Sequence, residues 1–294
     1  MTSRRLALLS LPIAIALTGA SASARAPADA WDKCRGDSDR TVIEGCTRVL
    51  QSRQLDEPEM SEALSARATA YRHLRDYPHA IADYEEAVRL RPGAVWAHAG
   101  LALSHRESGN ARRAIGEFDI ALRLAETELG SAGPQSAEYA HRASRIGLVL
   151  LERGLAYEQQ HDGEHAIADY REGMSRAPHE PDLGNALCWI LATRGESLDE
   201  ARRACDQSLR DRPDHPPTLD SRGLVNLKQQ RFQDAWNDYD AAARLGPDGP
   251  SWVFGRGVAA LRLGRTAEGQ ADIARAERLN AGVRQYYSDL GIRP

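Results

Sequence analysis

Lysine is almost missing from this chain: Lys33 and Lys228 are its only two, so arginine carries nearly all of a basic total of 38. Against 42 acidic residues the formal net charge is -4. The basic excess that a phosphate-tracking surface needs is therefore absent, and nucleic acid is not an expected partner. Beyond Ala20 there is no apolar run long enough to cross a bilayer, which excludes a polytopic membrane protein. The chain has four cysteines and no C-x-x-C, so a thioredoxin-like redox role is not expected. It also lacks a phosphate-cradling G-x-x-x-x-G-K, a G-x-S-x-G elbow and an H-E-x-x-H zinc helix. On these grounds no catalytic residue, metal ligand or cofactor is assigned, and no small-molecule substrate is expected.

What is present begins with the N-terminus. Arg4 and Arg5 precede an uncharged stretch from Leu6 to Ala20, followed by the small residues Ser21-Ala22-Ser23-Ala24. A basic start, a short apolar centre and an A-x-A site predict a secretory signal peptide over residues 1–24. No cysteine stands at the cleavage point, so lipid attachment there is not expected. An uncleaved N-terminal anchor is the alternative. Cleavage leaves a protein without a membrane segment in an oxidising compartment, where disulfides are allowed. With the arginine-rich composition, the expected location is a Gram-negative periplasm, and the extracellular space is the second choice.

An internal period occupies the rest. Aligned small residues at Ala80, Ala114, Ala166, Ala201, Ala235 and Gly269 are separated by steps of 34, 52, 35, 34 and 34. Four residues after each come Tyr84, Phe118, Tyr170, Cys205, Tyr239 and Ile273, and twelve before the first two stand Ala68 and Ala102. Their counterparts in later units are Gly154, Cys188, Gly223 and Gly257. Pro92, Pro178, Pro213 and Pro247 close four units, where the missing amide donor ends a helix. Two amphipathic helices per unit, with small residues where they cross, resemble the tetratricopeptide repeat family over roughly residues 61 to 282. The resemblance implies an all-α, right-handed superhelical solenoid of antiparallel helix pairs, with six full repeats.

The expected organisation follows from the register. A degenerate first repeat covers 25–60, and full repeats cover 61–94, 95–128, 147–180, 181–215, 216–249 and 250–282. An insert covers 129–146, where Gly130, Gly133 and Pro134 break the pattern and Ser136 to Gln160 then reads as one long helix. The step of 35 adds one residue to the turn between Arg194 and Leu198. Residues 283–294 read as a C-terminal cap, because the last unit of a solenoid has no neighbour to cover it.

In this family's hairpin, the positions held by Cys188 and Cys205 face each other, and Cys34 and Cys46 look like the same pairing in the degenerate first repeat. Four cysteines allow three pairings, and the repeat register favours these two local ones. His161 and His165 have the spacing of metal ligands, but Gly163 lies between them in a turn, so they read as solvated turn residues. The tripeptide Arg35-Gly36-Asp37 is too short a match to carry weight.

The remaining candidate is the concave surface, lined in this family by the first helix of each pair. The position after each small residue reads Thr69, Leu103, Leu155, Trp189, Leu224 and Val258. This is either an apolar ladder for a partner or packing between units. Trp96 and Trp189 are the sharper anchors, and Arg72, Arg106 and Asn185 could supply polar contacts. Family members that clamp a peptide carboxylate use Lys and Asn here; this chain has Glu62, Ser65, Thr69, Arg72 and Ala99, so that specificity does not carry over. The expected partner is a protein or peptide held without catalysis. Two alternatives are an anchored envelope assembly factor and an enzyme with an unrecognised site on the scaffold.

Overall fold

The computed structural model describes residues 28–52, 55–133 and 135–294, so the expected signal peptide and Pro134 lie outside it. Fifteen helices are found among the described residues, and no strand. They pair in sequence as α1 Ala28–Cys34 with α2 Asp39–Leu50, α3 Glu57–His73 with α4 Tyr77–Leu90, α5 Val95–Glu107 with α6 Ala111–Gly130, and α7 Ala137–Gln159 with α8 Gly163–Arg176. The series continues with α9 Pro181–Arg194 and α10 Leu198–Asp211, α11 Pro216–Lys228 and α12 Phe232–Leu245, α13 Pro250–Arg262 and α14 Thr266–Leu279, then a last helix α15 Val283–Asp289. From α3 to α13, the backbones of consecutive odd-numbered helices come close together, while among the described residues the even-numbered ones meet only through long side chains such as Arg171 with Glu200 and Trp236 with Glu268. The odd helices therefore line the inside of a curved stack.

Local chemistry sets the boundaries. Asp56 accepts from the Glu59 amide while Glu59 reaches back to the Asp56 amide, a reciprocal cap on α3. Proline opens α9, α11 and α13, where its missing amide costs nothing. Every turn within a full pair contains one left-handed residue, in order Arg75, Gly109, His161, Gly195, Gln230 and Gly264. The longer turn at Arg194–Leu198 adds a second, Ser197. The eighteen additional residues of the long step are almost all helical: α6 has 20 residues against 14 in α4, and α7 has 23 against 13 in α5.

The small residues of the odd helices are explained differently from a simple meeting of small with small. A Cβ on Gly154 would lie 2.4 Å from the Tyr170 ring, and one on Gly223 would lie 2.7 Å from the Tyr239 ring. Each glycine makes room for a fully buried tyrosine from its partner helix. Removing about 150–250 Å² of aromatic surface from water is worth roughly 4–6 kcal/mol, more than the ~1 kcal/mol that glycine costs in a helix. At Gly257, facing the Gly269 carbonyl, and at Gly184, facing the Ala204 carbonyl, the approach is instead to backbone.

Two disulfides staple pairs internally. Cys34 bonds Cys46 between α1 and α2, and Cys188 bonds Cys205 between α9 and α10, with Cα atoms 4.5 and 5.4 Å apart. A second brace went unread in the sequence. Arg67 grips Asp83, Arg153 grips Asp169, Arg222 grips Asp238 and Arg256 grips Asp272, each through two hydrogen bonds. In all four the third guanidinium nitrogen reaches the preceding even-numbered helix, at Thr47, Asp119, Asp206 and Asp240. Burial pushes the Asp169 and Asp238 carboxyls upward, and the arginine hydrogen bonds oppose it. The equivalent positions in the two remaining units are Leu101 with Glu117 and Leu187 with Ala204.

The C-terminal segment extends beyond the end of the stack. After Gly282, α15 packs on both α13 and α14, with Val283 and Tyr287 in their shared core, and the chain continues onto the inner surface. Tyr287 packs its ring 4.7 Å from Phe254 and donates to the Ser251 carbonyl at 3.0 Å. Tyr286 stacks on Trp189, with centroids 6.5 Å apart, and Ile292 packs against the cores on both sides.

Candidate functional site

The inner surface divides into two halves. Along α3, α5, α7 and α9 the ladder residues Thr69, Leu103, Leu155 and Trp189 are half-buried, with one edge open. Leu224 and Val258, the next two rungs, are 2% and 1% exposed. The C-terminal segment explains the difference, because Leu290 and Ile292 lie against the core that contains Leu224, and Ile292 also against the one that contains Val258. Leu224 is therefore core in this structure and not an open contact. Trp189, expected as an exposed anchor, is partly covered by Tyr286.

The polar candidates are already engaged. Arg72 pairs with Glu107 at 2.7 Å and Arg106 with Glu152 at 2.8 Å, bridging α3 to α5 and α5 to α7. Asn185 accepts from the Ser221 hydroxyl at 2.9 Å. Burial lifts the Glu152 carboxyl above its usual range, against the pull of Arg106. The Nε atoms of Arg72 and Arg106 and the Ser65 hydroxyl are buried without a protein partner. Trp96 is 38% exposed and, with Glu62, Ser65 and Thr69, lines a cavity of about 280 Å³ at the N-terminal end of the inner surface.

A larger cavity, about 700 Å³, lies between the C-terminal tail and the walls formed by α11, α13 and the turn after α9. Near the other end of α11, Asp220 accepts the Ser251 hydroxyl at 2.7 and 3.0 Å, and burial pushes its carboxyl up to about 7. His165 bonds its own cap residue, Asp162, at 2.7 Å and stacks on Tyr157, while His161 occupies the left-handed turn. Among the described residues no cluster of three or more His, Cys, Asp or Glu is placed to hold a metal. Arg35 of the Arg35-Gly36-Asp37 tripeptide pairs with Glu62.

Comparison with known proteins matches this geometry to a family. Profiles described as tetratricopeptide repeat match residues 61–94 and 221–283. The chain is a tetratricopeptide repeat protein. A curated TPR repeat-containing protein of Pseudomonas aeruginosa is 30% identical over 148 residues, covering 44% of this chain and 25% of the relative. The chain thus spans about a quarter of that relative's length. Two solved structures superpose on it. YrrB, a TPR protein with an unusual peptide-binding site, has a TM-score of 0.52 and 16% identity over 72% of this chain and 97% of its own. PilW, a type IV pilus biogenesis factor, has a TM-score of 0.59 and 17% identity over 79% and 96%. At these identities the likeness concerns the fold.

Within the tetratricopeptide repeat frame, two features of the site escaped the sequence reading. The Arg72–Glu107 and Arg106–Glu152 pairs join consecutive odd helices, and nothing in one unit's pattern announces a partner in the next. The occupied groove had a fainter signal: Tyr286 and Tyr287 are adjacent aromatics in a helix of seven residues, more apolar bulk than an end cap facing water needs.

Proposed function

We propose that this protein is a non-catalytic scaffold of the cell envelope that holds a polypeptide partner along its inner groove. The observation that carries the reading is the run of Leu103, Leu155 and the partly covered Trp189, half-buried side chains in register along one concave surface beside the exposed Trp96. Aromatic and aliphatic anchors in a concave site are where truncation costs most binding energy. The two disulfides support export, since such bonds persist in oxidising compartments. YrrB, with its peptide-binding site, and PilW, a pilus biogenesis factor, are consistent neighbours.

The test is a photo-crosslinking residue placed at Leu103 or Leu155 in the exported full-length protein. A discrete polypeptide should be captured from both positions, and Leu155→Glu should abolish capture with helical content unchanged. Crosslinks confined to the outward faces of the even-numbered helices would move the binding surface elsewhere. The anchored assembly-factor reading separates on the mature N-terminus: mass spectrometry finding Met1 retained would favour it over the cleaved, free protein.

A further inference from the structure

The inner groove of α9, α11 and α13 holds twelve residues of the chain itself, Val283–Pro294, and they fill it incompletely. Only Val283 and Tyr287 are buried, at 3% and 2% exposure, while Tyr286 is 40% exposed and Leu290 and Ile292 are half-buried. Beneath them remains the cavity of about 700 Å³, with Leu198, Leu227, Phe232 and Val258 among its lining residues. This cleft is open at the surface, so an occupant bulkier than the tail has room in it.

The charges point the same way. Lys228 and Arg262 stand in the cavity wall, and among the described residues neither meets a carboxylate. Lys228 donates to the Thr193 carbonyl at 3.2 Å, and Arg262 to the Arg293 carbonyl at 2.9 Å. The tail thus meets this basic wall with a neutral backbone carbonyl, where an acidic residue would complement it. Its aromatic and aliphatic side chains suit the groove, but it brings no carboxylate side chain to the two cations.

We propose that this groove is a peptide site for an acidic segment carrying an aromatic residue followed by aliphatic ones, and that Val283–Pro294 is its resident, displaceable occupant. The inference rests on the reading of the inner groove as a polypeptide site and names the chemistry of what enters its C-terminal half. A partner must first displace the tail, so its apparent affinity is lowered by the fraction of chains with the groove closed.

The probe is a labelled synthetic peptide with the sequence of Val283–Pro294, together with its Arg293→Glu form. Two full-length proteins are compared, the unaltered chain and one carrying Tyr287→Asp and Ile292→Asp to release the tail. The released chain should bind the peptide at least ten-fold more tightly than the unaltered chain, and the Arg293→Glu peptide at least three-fold more tightly still. Equal affinity for both proteins, no binding by a released chain that keeps its helical circular dichroism, or no gain from the glutamate would overturn the proposal. Hydrogen exchange on the unaltered chain decides independently, including where the released variant does not fold. Amides of α15 should exchange at least a hundred-fold faster than those of α13. Exchange of both at one common rate would make α15 a structural cap. No native partner enters these measurements, so an absence of cellular crosslinks would count against the scaffold reading without touching this result.

Discussion

Arg256 holds Asp272 through two hydrogen bonds of 2.8 Å, and its remaining nitrogen reaches Asp240 at 2.9 Å. One guanidinium thereby ties α13 to both helices it packs between. The same residue pair recurs at a spacing of 16 in four units, whereas one unit places Leu187 and Ala204 at the equivalent positions.

That natural replacement sets up a double-mutant cycle. Arg256→Leu alone strands the buried Asp272 and should cost about 3–5 kcal/mol, whereas Asp272→Ala alone leaves Arg256 its Asp240 partner and should cost less. The combined Arg256→Leu and Asp272→Ala protein should recover most of that loss, because an apolar pair of suitable shape replaces a buried ion pair at little net cost. Urea unfolding of the four proteins measures the coupling. Additive losses would mean that the two residues act independently.

The left-handed turn residues give a prediction of opposite sign. His161 has φ of 59° and Arg75 of 62°, at positions where other units carry glycine. A residue with a Cβ loses roughly 1–2 kcal/mol in that conformation, partly offset by the greater entropy of a glycine-containing unfolded chain. His161→Gly should therefore raise stability, by about 0.5–1 kcal/mol. A lower midpoint of thermal unfolding would show that the imidazole makes a contact worth more than the relief of strain.

The cysteines should be fully paired in the protein purified without reductant. Each bridge closes a short loop, with sequence separations of 12 and 17, so replacing either pair by alanine should cost about 3 kcal/mol in the chain-entropy account. Non-reducing intact mass should fall two hydrogens per bridge below the reduced value. Free thiols detected under native conditions would show that a bridge is missing.

Asp220 makes the tail's attachment depend on pH. Burial lifts its carboxyl from 3.8 to about 7, so the folded state holds a proton that the unfolded chain has already released. Its favourable contribution is complete below about 3.8 and fades as pH rises through 7. The groups facing it are the Ser251 hydroxyl and the rings of Tyr286 and Tyr287, with no cation to hold it ionised among its described determinants. Quenching of Trp189 by the stacked Tyr286 reports attachment, and it should weaken between pH 6 and pH 8. Asp220→Asn should flatten that change; an unchanged profile would assign the titration to another group.

Much of the fold was legible because each unit repeats the same packing problem. The spacing of Ala80, Ala114 and Ala235 fixed the pairs, and Pro92, Pro178, Pro213 and Pro247 each stand two residues past the end of a helix. The long helix expected from Ser136 to Gln160 appears as α7, capped at the Ser136 hydroxyl. The candidate site was less legible, for a physical reason. Leu290 and Ile292 lie against the core that contains Leu224 from more than sixty residues away in sequence, and periodicity describes neighbours in the stack without describing what folds back across it. The Arg256–Asp272 spacing was available in the sequence, since its fixed interval recurs with the repeat; attention to apolar positions passed over it.

Both disulfides lie inside a helix pair, and neither joins one pair to the next. If the ends of this protein were drawn apart, the stack could separate pair by pair while two stretches stayed looped and bore no load. A reduced chain would reach further at full extension by the slack released from separations of 12 and 17 residues, about 90 Å at 3.3–3.6 Å per residue. The oxidation state of the compartment thus sets how far this molecule can span under tension.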